Sequence, residues 1–423
     1  MTTRRNAAIG VLFSLCLPFF LERGPYRAIR FSKSYDFSTE YAAARCWAKG
    51  ESPYEVNALK TELAEEGAPP SLISQQDVNP NIYFLTTMPC VALVAWLPWK
   101  IANVAWCLLL LACFGASLLA ILKQTSLSTA NRWGIASLSL LFCPTYVGLM
   151  YGNPSILATS MVTLAICFAV DRRLWASGIL LGLTLLLKPQ ITLCAICVII
   201  LWKNWPAAWI GLAVFTAGVA ISVLRAPSFQ DLANWLGSHL QIVASTFGQG
   251  GKSDPSPHNP WAGEILSGQT ISSLFTNNNH LRQAVVWVFA AALLVLYLRF
   301  RNGSRDGSKW RDVAFFCALT TTAAYHRYYD AQIFLLLIPL LVELWKAGER
   351  KMAAGLGICL LLLAFPSQSV IAKLLGTDTT VHSLPQVILF RHQPLAVIAI
   401  ALILVLSGWL TRPRRTPDAH HAM

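Results

Sequence analysis

Residues 102–122 read ANVAWCLLLLACFGASLLAIL, a predominantly apolar stretch of 21 residues without a charged side chain. Lys100 and Lys123 stand close to its two ends. An α-helix rises 1.5 Å per residue, so a helix of this length spans about 30 Å, the thickness of the hydrocarbon core of a bilayer. The stretch therefore predicts a transmembrane helix, and an all-α membrane protein is the expected fold class.

Similar apolar segments recur along the chain and make thirteen candidates in all. The other twelve lie at about residues 7–22, 83–99, 134–150, 155–170, 174–187, 190–202, 206–224, 283–299, 312–325, 331–345, 352–367 and 393–410. Of the 423 residues, 55% are hydrophobic and 13% are charged, whereas about 25% of the residues in soluble domains are charged. These values exclude a soluble enzyme, and residues 1–423 are predicted to form one membrane domain.

Two of these segments need separate treatment. The first follows Arg4 and Arg5, as in a signal peptide, but no small-x-small cleavage site comes after it, so we expect a retained span. The segment 83–99 carries Pro89 and Pro98 and is short for a span, so we expect it to be re-entrant or interfacial. About twelve transmembrane helices remain, with both termini on the cytoplasmic side.

Basic connectors determine the predicted orientation. The predicted cytoplasmic segments, which include a basic tail at 411–423, hold eighteen of the 33 Lys and Arg residues and five of the 20 Asp and Glu residues. Cytoplasmic loops of membrane proteins carry such an excess of bases. This excess of thirteen equals the formal net charge of +13. The basic character therefore reflects topology, and no nucleic-acid partner is predicted.

Two long loops fall on the non-cytoplasmic side, at residues 23–82 and 225–282. Long loops in compact proteins tend to carry function. The first contains FSTEYAAARCWAK, residues 37–49, whose apolar residues recur at helical spacing before Gly50. We expect an amphipathic helix there that could lie flat on the membrane surface. The second loop is polar and rich in Gly, Pro and Asn around GQGGKSDPSPHNPWAGE, residues 248–264.

Asp36 lies immediately before this predicted helix, and Glu40 follows one helical turn later. An aspartate in this place can cap the helix by accepting N–H bonds from its first turn. It can also act as a general base at the membrane surface, with Glu40 facing the same way. Two carboxylates four residues apart can equally form a solvated helix face, so these alternatives stay open.

Polar residues also stand at span ends on the same predicted membrane side. Lys188, followed by Pro189 and Gln190, interrupts a hydrophobic region, where an unpaired charge costs a few kcal/mol. It either extends to the interface or binds an anion such as a lipid-linked phosphate. Asn153 follows Gly152 at the end of another span and could line the same cavity, although Gly-Asn-Pro is also an ordinary turn or helix-start signal.

The densest polar cluster is YHRYYD, residues 325–330, between two apolar segments. An arginine can bind phosphate through two parallel hydrogen bonds, and an acid and a histidine can orient and assist it. Arg327, Asp330 and His326 would fill these roles. The alternative is an interfacial loop whose charges pair with one another.

The eleven cysteines imply no disulfide framework, because nearly all lie in apolar segments. Cys194 and Cys197 have the spacing of a metal or redox motif but no His or acidic companions. The sequence contains no P-loop, dinucleotide-binding or HExxH motif. We therefore predict neither a metal site nor a cofactor.

These motifs resemble those of the integral-membrane glycosyltransferases of family 87, which belong to the GT-C superfamily. The matching residues follow one another along most of the chain: Asp36-Phe37, Tyr41 to Arg45, Gly50-x-x-Pro53-Tyr54, Gly152-Asn153, Gly178, Gly182, Lys188-Pro189 and Tyr325 to Asp330. Two positions depart from the family's pattern. Asn79-Pro80-Asn81 stands where a Tyr-Pro-Pro-like motif is usual, and Asn153 stands where glutamine is usual.

The resemblance implies a GT-C-like fold and an inverting transfer of a hexose from a polyprenyl-phosphate donor, with mannose as the favoured hexose. The acceptor would be a glycan or glycolipid at the outer face of the cell (inner) membrane, and membrane lipids are further partners. Asp36 would be the catalytic base, and Arg327, His326 and Lys188 would bind the donor phosphate. The residues expected to contact acceptor or sugar, or to support the site, are Glu40, Arg45, Asn153, Gln190, Tyr329 and Asp330.

Two other classes of protein share some of these features. A secondary transporter or lipid flippase would use intramembrane ionisable residues as a substrate or proton path. Here, however, the charged cluster lies on one side, and the two halves show no matching pair of interrupted segments. A non-catalytic scaffold would use the long loops to bind partners. Transfer from a labelled polyprenyl-phosphate sugar distinguishes an enzyme from both.

Overall fold

The computed structural model describes residues 2–77, 80–301, 309–365, 368–377, 381 and 383–410. Within these ranges the chain is helical and has no β-strand, and a single β-bridge joins Ile265 to Arg327. The predicted all-α fold class is therefore confirmed. The predicted cytoplasmic tail, residues 411–423, lies outside the described residues.

The helices follow one another along the chain with mostly short connections. The α-helices are α1 Thr2–Leu21, α2 Arg27–Arg30, α3 Tyr35–Lys49, α4 Val56–Glu65, α5 Pro70–Gln75, α6 Met88–Ala95, α7 Trp99–Lys123, α8 Thr129–Leu140, α9 Cys143–Tyr151, α10 Pro154–Val170, α11 Leu174–Leu187, α12 Pro189–Leu201, α13 Trp205–Leu224, α14 Phe229–Phe247, α15 Gln269–Ser272, α16 Asn279–Arg301, α17 Lys309–Ala323, α18 Leu337–Lys346, α19 Arg350–Ala364, α20 Gln368–Leu375, α21 Leu384–Phe390 and α22 His392–Leu410. A π-helix, Glu22–Tyr26, joins α1 to α2, and 3₁₀-helices occur at Leu85–Thr87, Ala262–Glu264 and Tyr328–Leu336.

Six described segments are long and apolar enough to cross a membrane, and they indicate a membrane protein. They are Arg5–Arg30, Trp99–Lys123, Trp205–Leu224, Asn279–Arg301, Tyr328–Lys346 and His392–Leu410. The pair α8 and α9, bent by 54°, would make a seventh. The predicted number of about twelve is not confirmed, because apolar helices such as α10, α11 and α12 have only 17, 14 and 13 residues. At 1.5 Å per residue they are roughly 20–25 Å long, shorter than the hydrocarbon core.

The segment at 83–99, expected to be re-entrant or interfacial, forms a 3₁₀ turn and α6 and then breaks at Pro98. Its helical part, Leu85–Ala95, is too short to cross a bilayer by itself. Helix α6 instead packs along α3. The Arg45 guanidinium reinforces this contact by donating to Ala95 O at 2.9 Å.

Helix α3 is a core element, which differs from the expected surface helix. Ala42, Ala43 and Ala44 are all 0% exposed, so their small side chains allow neighbouring helices to approach closely on more than one face. Trp47 Nε1 donates to Ser222 O at 3.0 Å. Gly50 ends the helix with a φ of +80°, as its position in the sequence predicted.

Helices α11 and α13 pack backbone against backbone through glycines. A Cβ atom on Gly178 would lie 2.7 Å from Ala207 O, and one on Gly182 would lie 2.6 Å from Gly211 O. Small residues at such seams are typical of helices packed in membranes. The two glycines of the Gly178…Gly182…Lys188 motif therefore serve packing, and the helix they stabilise ends at Leu187, with Lys188 as its cap residue.

Basic connectors meet at one end of the molecule. Gln124, just after α7, donates to Asp171 at the end of α10 at 2.9 Å. Lys346, the last residue of α18, donates to Ser126 O at 2.7 Å. Asn153 caps the opposite end of α10, about 25 Å away along the helix. The candidate site lies at this opposite end.

Candidate active site

One short hydrogen bond holds the Asp36 carboxylate. Helix α3 begins at Tyr35 with Ser34 as its cap residue, so Asp36 stands in the first turn and the capping alternative does not hold. Asn153 Nδ2 donates to Asp36 Oδ2 at 2.6 Å. The Asn153 Oδ1 atom accepts the Ser155 N–H at 2.8 Å as the cap of α10. Because this bond orients the amide, its NH2 group faces Asp36.

Close packing of α3 against the turn between α9 and α10 makes this contact possible. Gly152 ends α9 with a φ of +64°, and a Cβ atom on it would lie 2.7 Å from Phe37 Cβ. Trp106 Nε1 donates to Gly152 O at 2.8 Å, and its ring stacks on Phe37 at 4.9 Å. Glycine is the residue that fits both the left-handed backbone and the close approach.

Asp330 is buried at the centre of a second polar cluster. Lys188 Nζ donates to Asp330 Oδ1 at 3.3 Å and also to Ser155 Oγ. His326 Nδ1 lies 3.2 Å from Asp330 Oδ2, and the Arg327 backbone N–H donates to the same oxygen at 3.1 Å. The structure thus brings together four of the predicted residues. The Lys188 charge, however, is paired with Asp330.

Arg327 connects this cluster to the second long loop. Its Nε atom donates to the Tyr325 hydroxyl at 2.8 Å, and its Nη1 atom lies 3.5 Å from the Glu264 carboxylate. Its Nη2 atom donates to Ser253 Oγ at 3.4 Å and to Lys252 O at 3.5 Å. Three of these distances are at the upper limit of hydrogen bonding. An anion with two oxygens can therefore replace them.

Two neighbouring chambers share a wall that contains Asp36, Lys252, Arg327 and Tyr329. The larger has a volume of about 370 Å³ and the smaller about 210 Å³. Lys188 and His326 line neither chamber. The Asp36 carboxylate and two cations therefore face the same space, although they come from three separate parts of the chain.

Burial raises the pKa of Asp36 above its ordinary value, although the Asn153 hydrogen bond and the charges of Arg327, Lys188 and Lys252 act to lower it. Burial also lowers the pKa of Lys252, and the neighbouring Arg327 adds to this effect. A carboxylate with a raised pKa is a stronger proton acceptor than an ordinary aspartate. Asp36 has the environment expected of a general base.

The family model named glycosyltransferase family 87 matches residues 81–324, more than half of the chain. The chain belongs to glycosyltransferase family 87. It matches no curated protein and no solved structure. Because it belongs to this family, the protein is a glycosyltransferase and needs a sugar donor and an acceptor. The transporter and scaffold alternatives are therefore set aside. Asn153 and Lys252 lie inside the matched region, whereas Asp36 and Arg327 lie outside it.

Glu40 of this glycosyltransferase lies one turn after Asp36 but lines neither chamber. It is 0% exposed, and neither carboxylate oxygen has a hydrogen-bond partner within the described residues. Burial raises the pKa of Glu40 well above its ordinary value, although the Lys188 charge opposes the shift. Burial of this kind disfavours the charged form of a carboxyl group. Glu40 therefore differs from Asp36 in that it does not face the two chambers, so Asp36 is the stronger candidate for the base.

Two further predicted residues of the family 87 chain lie away from the chambers. Arg45 pairs with Glu62 at 2.9 Å and also with Glu66, so it ties α3 to α4. Gln190 stands in the first turn of α12, next to Lys188, and lines neither chamber. The contacts of Arg45 give it a structural role.

The second long loop of this glycosyltransferase contributes residues that the sequence had not singled out. Lys252 lines both chambers, and Trp261 and Glu264 line the smaller one. The Asp254 carboxylate shapes the turn by accepting a backbone N–H of the same loop at 2.9 Å. These three residues could be seen in the sequence as members of a polar loop. Their position beside Asp36, however, depends on the tertiary fold.

Within the described part of the family 87 chain, no group of three or more His, Cys, Asp or Glu side chains is placed to hold a metal ion. Cys194 and Cys197 both lie in α12. The Cys194 thiol is buried and donates to Ile191 O at 3.2 Å. These two thiols belong to the packing of that helix.

Proposed function

We propose that this glycosyltransferase moves a hexose from a polyprenyl-phosphate donor to a hydroxyl group of a glycan or glycolipid, with inversion of configuration. Mannose is the hexose that we favour. The observation that carries the proposal is the shared wall of the two chambers, which contains Asp36, Arg327 and Lys252. A proton acceptor and two phosphate-binding cations thus face one space, as an in-line displacement requires.

Asp36 takes the proton from the acceptor hydroxyl as the hydroxyl oxygen attacks the anomeric carbon of the donor. The new bond joins this oxygen to the anomeric carbon, while the bond from the anomeric carbon to the phosphate oxygen breaks on the opposite face. This geometry inverts the configuration at the anomeric carbon. The Asn153 hydrogen bond supports the step because it fixes the direction of the Asp36 carboxylate.

The leaving polyprenyl phosphate takes the bonding electrons and gains one negative charge. Arg327 and Lys252 would stabilise this charge, and the arginine fork matches two phosphate oxygens. In this proposal Lys188 and His326 do not bind the phosphate directly and act through Asp330. Both contact Asp330, which accepts the Arg327 backbone N–H and thereby fixes the backbone that carries the guanidinium.

The proposed reaction takes place at the outer face of the cell membrane. The site lies at the Asn153 end of α10, and basic connectors such as Lys346 gather at the other end. The positive-inside rule assigns the basic end to the cytoplasm. Loops 23–82 and 225–282, which supply Asp36 and Lys252, would then be outer loops.

Transfer by the full chain in lipid nanodiscs tests this function. The donors are labelled polyprenyl-phosphate mannose and other polyprenyl-phosphate hexoses, and the acceptors are methyl glycosides and glycolipids. We expect labelled product, an equal amount of free polyprenyl phosphate, and a product anomeric configuration opposite to that of the donor by NMR. Transfer with retention, or transfer from nucleotide sugars alone, contradicts the proposal.

A further inference from the structure

The smaller chamber has a distinctive wall apart from the residues that it shares with the larger one. Three of its residues are aromatic, Tyr35, Tyr151 and Trp261, and two others are Gln75 and Glu264. The rings of Tyr35 and Tyr151 lie 6.0 Å apart. Trp261 is 48% exposed although it lines a polar chamber. About half of the Trp261 surface is therefore accessible for contact with a ligand.

This combination of side chains suits a sugar ring. The C–H faces of a pyranose pack against aromatic rings, while its hydroxyl groups exchange hydrogen bonds with carboxylates, amides and phenols. An alkyl chain would displace water from the polar side chains of Gln75 and Glu264 and offer no hydrogen bond in return, which is costly. A phosphate would be repelled by the Glu264 carboxylate. The volume of about 210 Å³ fits a single ring better than an oligosaccharide.

The larger chamber is better suited to a lipid phosphate. It adds the hydroxyl groups of Ser245 and Thr246 to the shared cations, and it is lined by Pro80 and Ile82, which precede the short apolar helix. Asp77, which also lines it, is paired with Lys60 at 2.5 Å. A donor phosphate bound by the shared cations would therefore have the apolar side chains of Pro80 and Ile82 in the same chamber.

We infer that the smaller chamber is the acceptor site, that the acceptor group is a sugar ring, and that Trp261 is the surface on which this ring stacks. The bound ring presents a hydroxyl group to Asp36 at the shared wall, while the donor approaches from the larger chamber. This inference rests on the proposed function for the role of Asp36. Ring binding at Trp261 does not depend on that role.

Binding without donor provides the first test. Saturation-transfer-difference NMR on the full chain in nanodiscs, with methyl glycosides of several hexoses as ligands, detects ring binding directly. We expect a signal that is weakened about tenfold in Trp261→Ala and largely kept in Trp261→Phe, which retains a ring. Phe275→Ala is the matched control, since Phe275 is an exposed aromatic residue of the same loop that lines neither chamber. It should bind as the wild type does.

Steady-state kinetics provide the second test. With a labelled polyprenyl-phosphate hexose, Trp261→Ala should raise the KM for the methyl glycoside about tenfold. The KM for the donor and kcat at saturating glycoside should stay unchanged. A purely structural role for Trp261 would lower kcat and raise both KM values together, which would contradict the inference.

Several results overturn the inference. One is a wild type that gives no signal with any glycoside, or the same signal with glycerol, a polyol without a ring. Another is a Trp261→Ala variant that loses affinity for the donor and keeps it for the glycoside, because the small chamber would then hold the donor sugar. Ring binding that depends on Trp261, together with no transfer from any polyprenyl-phosphate donor, supports the acceptor site and defeats the proposed function instead.

Discussion

Asp36 can be tested without disturbing the start of α3, because Ser34 and not Asp36 is the cap residue. The change Asp36→Asn removes the proton acceptor and keeps the size of the side chain. We expect transfer to fall by roughly 10²–10⁴-fold, the usual contribution of a general base. The thermal unfolding midpoint and the binding of donor lipid should change little. Labelled transfer, thermal unfolding and donor binding measured on the same preparation check all three expectations.

Glu40→Gln is the control for this experiment. Glu40 is buried and lines neither chamber, and glutamine keeps the shape of its side chain. We expect the variant to transfer sugar at nearly the wild-type rate. If Glu40→Gln abolishes transfer while Asp36→Asn does not, the wrong carboxylate has been chosen. Substantial turnover in both variants would remove the base from this loop.

The Asn153 hydrogen bond should be visible in the pH dependence of transfer. Burial raises the pKa of Asp36, and the bond from Asn153 opposes this rise. Asp36 must be deprotonated to accept a proton, so kcat/KM falls as the pH drops through its pKa, which lies above the ordinary aspartate value of about 3.9. Asn153→Ser keeps a capping oxygen for α10 but removes the amide donor. We expect it to move the acid limb of the pH profile to higher pH.

Asn103→Ser is the matched control for this shift. Asn103 is also a buried amide, but it donates to Ala28 O at 3.3 Å and lines neither chamber. It should lower stability without moving the acid limb. An unchanged acid limb in Asn153→Ser would show that the pKa of Asp36 does not control the reaction.

Arg327 should matter for the donor through its fork geometry as well as its charge. Arg327→Lys keeps the charge and loses the paired N–H groups, whereas Arg327→Ala loses both. Hydrogen bonds to charged groups contribute about 1.5–3 kcal/mol, so the donor KM should rise by roughly 10–100-fold in the alanine variant and less in the lysine variant. The acceptor KM should change little. Equal losses for both substrates with preserved folding would make residues 325–330 a structural cluster.

Charge placement explains which site residues the sequence could predict. Arg327 and Asp330 were recognisable because ionisable residues between apolar segments are costly and need a reason. Asp36 was recognisable from its place before a predicted helix and from the family resemblance. Lys188 was recognisable for the same reason, but its pairing with Asp330 depends on a contact across the fold. The part played by Lys252 was not predictable, because a lysine in a polar loop has no such cost and its approach to Asp36 is purely tertiary.

The turn between α9 and α10 offers a test at the level of helix packing. Gly152→Ala places a Cβ atom 2.7 Å from Phe37 Cβ at a φ of +64°. The backbone conformation costs about 1 kcal/mol, and overpacking typically adds 1–3 kcal/mol. We expect a loss of roughly 2–4 kcal/mol and a strong loss of transfer, since a shift of about 1 Å between Asn153 and Asp36 disturbs the site.

Gly348→Ala isolates the contribution of the backbone. Gly348 has a φ of +81°, and no atom lies within 4 Å of a Cβ built on it. This variant should lose about 1 kcal/mol and keep its activity. Thermal and denaturant unfolding of both variants gives the difference. Equal losses in Gly152→Ala and Gly348→Ala would show that contact with Phe37 is not tight.

The helices were predictable because apolar runs and glycine stops are local signals, as Gly50 shows at the end of α3. Burial of α3 was not predictable from periodicity. Its apolar residues suggested one buried face, yet Ser38 and Ala43 on other faces are fully buried, and so is the carboxyl of Glu40. The free-energy cost of burying such a carboxyl is offset by contacts that are remote in sequence. Periodicity carries no information about these contacts.

The number of spans was the least predictable property of the whole molecule. Hydropathy finds apolar runs, but it does not tell a full span from a short helix packed inside a protein. The runs at 155–170 and 174–187 form α10 and α11, which have 17 and 14 residues and glycine or hydroxyl groups on buried positions. Such helices can be enclosed by longer ones, so apolar composition alone overstates the number that must reach both membrane surfaces.

Helix α7 is long enough to span a membrane, and the chain just after it meets one end of α10 through Gln124 and Asp171. We therefore predict that the basic connectors at this end and the site at the other end of α10 lie on opposite sides of the membrane. Asn153 caps one end beside Asp36, and the Arg172 turn follows the other end about 25 Å away. Arg172 has a φ of +62°, so the exposed neighbour Arg173 is the better position for a label. The exposed Gln249 represents the second long loop without altering Lys252.

A membrane-impermeant thiol reagent tests this arrangement on Gln249→Cys and Arg173→Cys in a background without reactive native thiols. The described native cysteines are buried or half-buried, so the background should be low. In intact cells we expect label at position 249 and none at 173, and in permeabilised cells label at both. If position 249 is labelled only from the cytoplasmic side, the predicted orientation of the whole chain is reversed. The reason is that the loop with position 249 and the loop with Asp36 line the same chamber. Label at both positions in intact cells would mean that α10 does not separate two membrane faces, and the outer-face assignment of the reaction would then lose its basis.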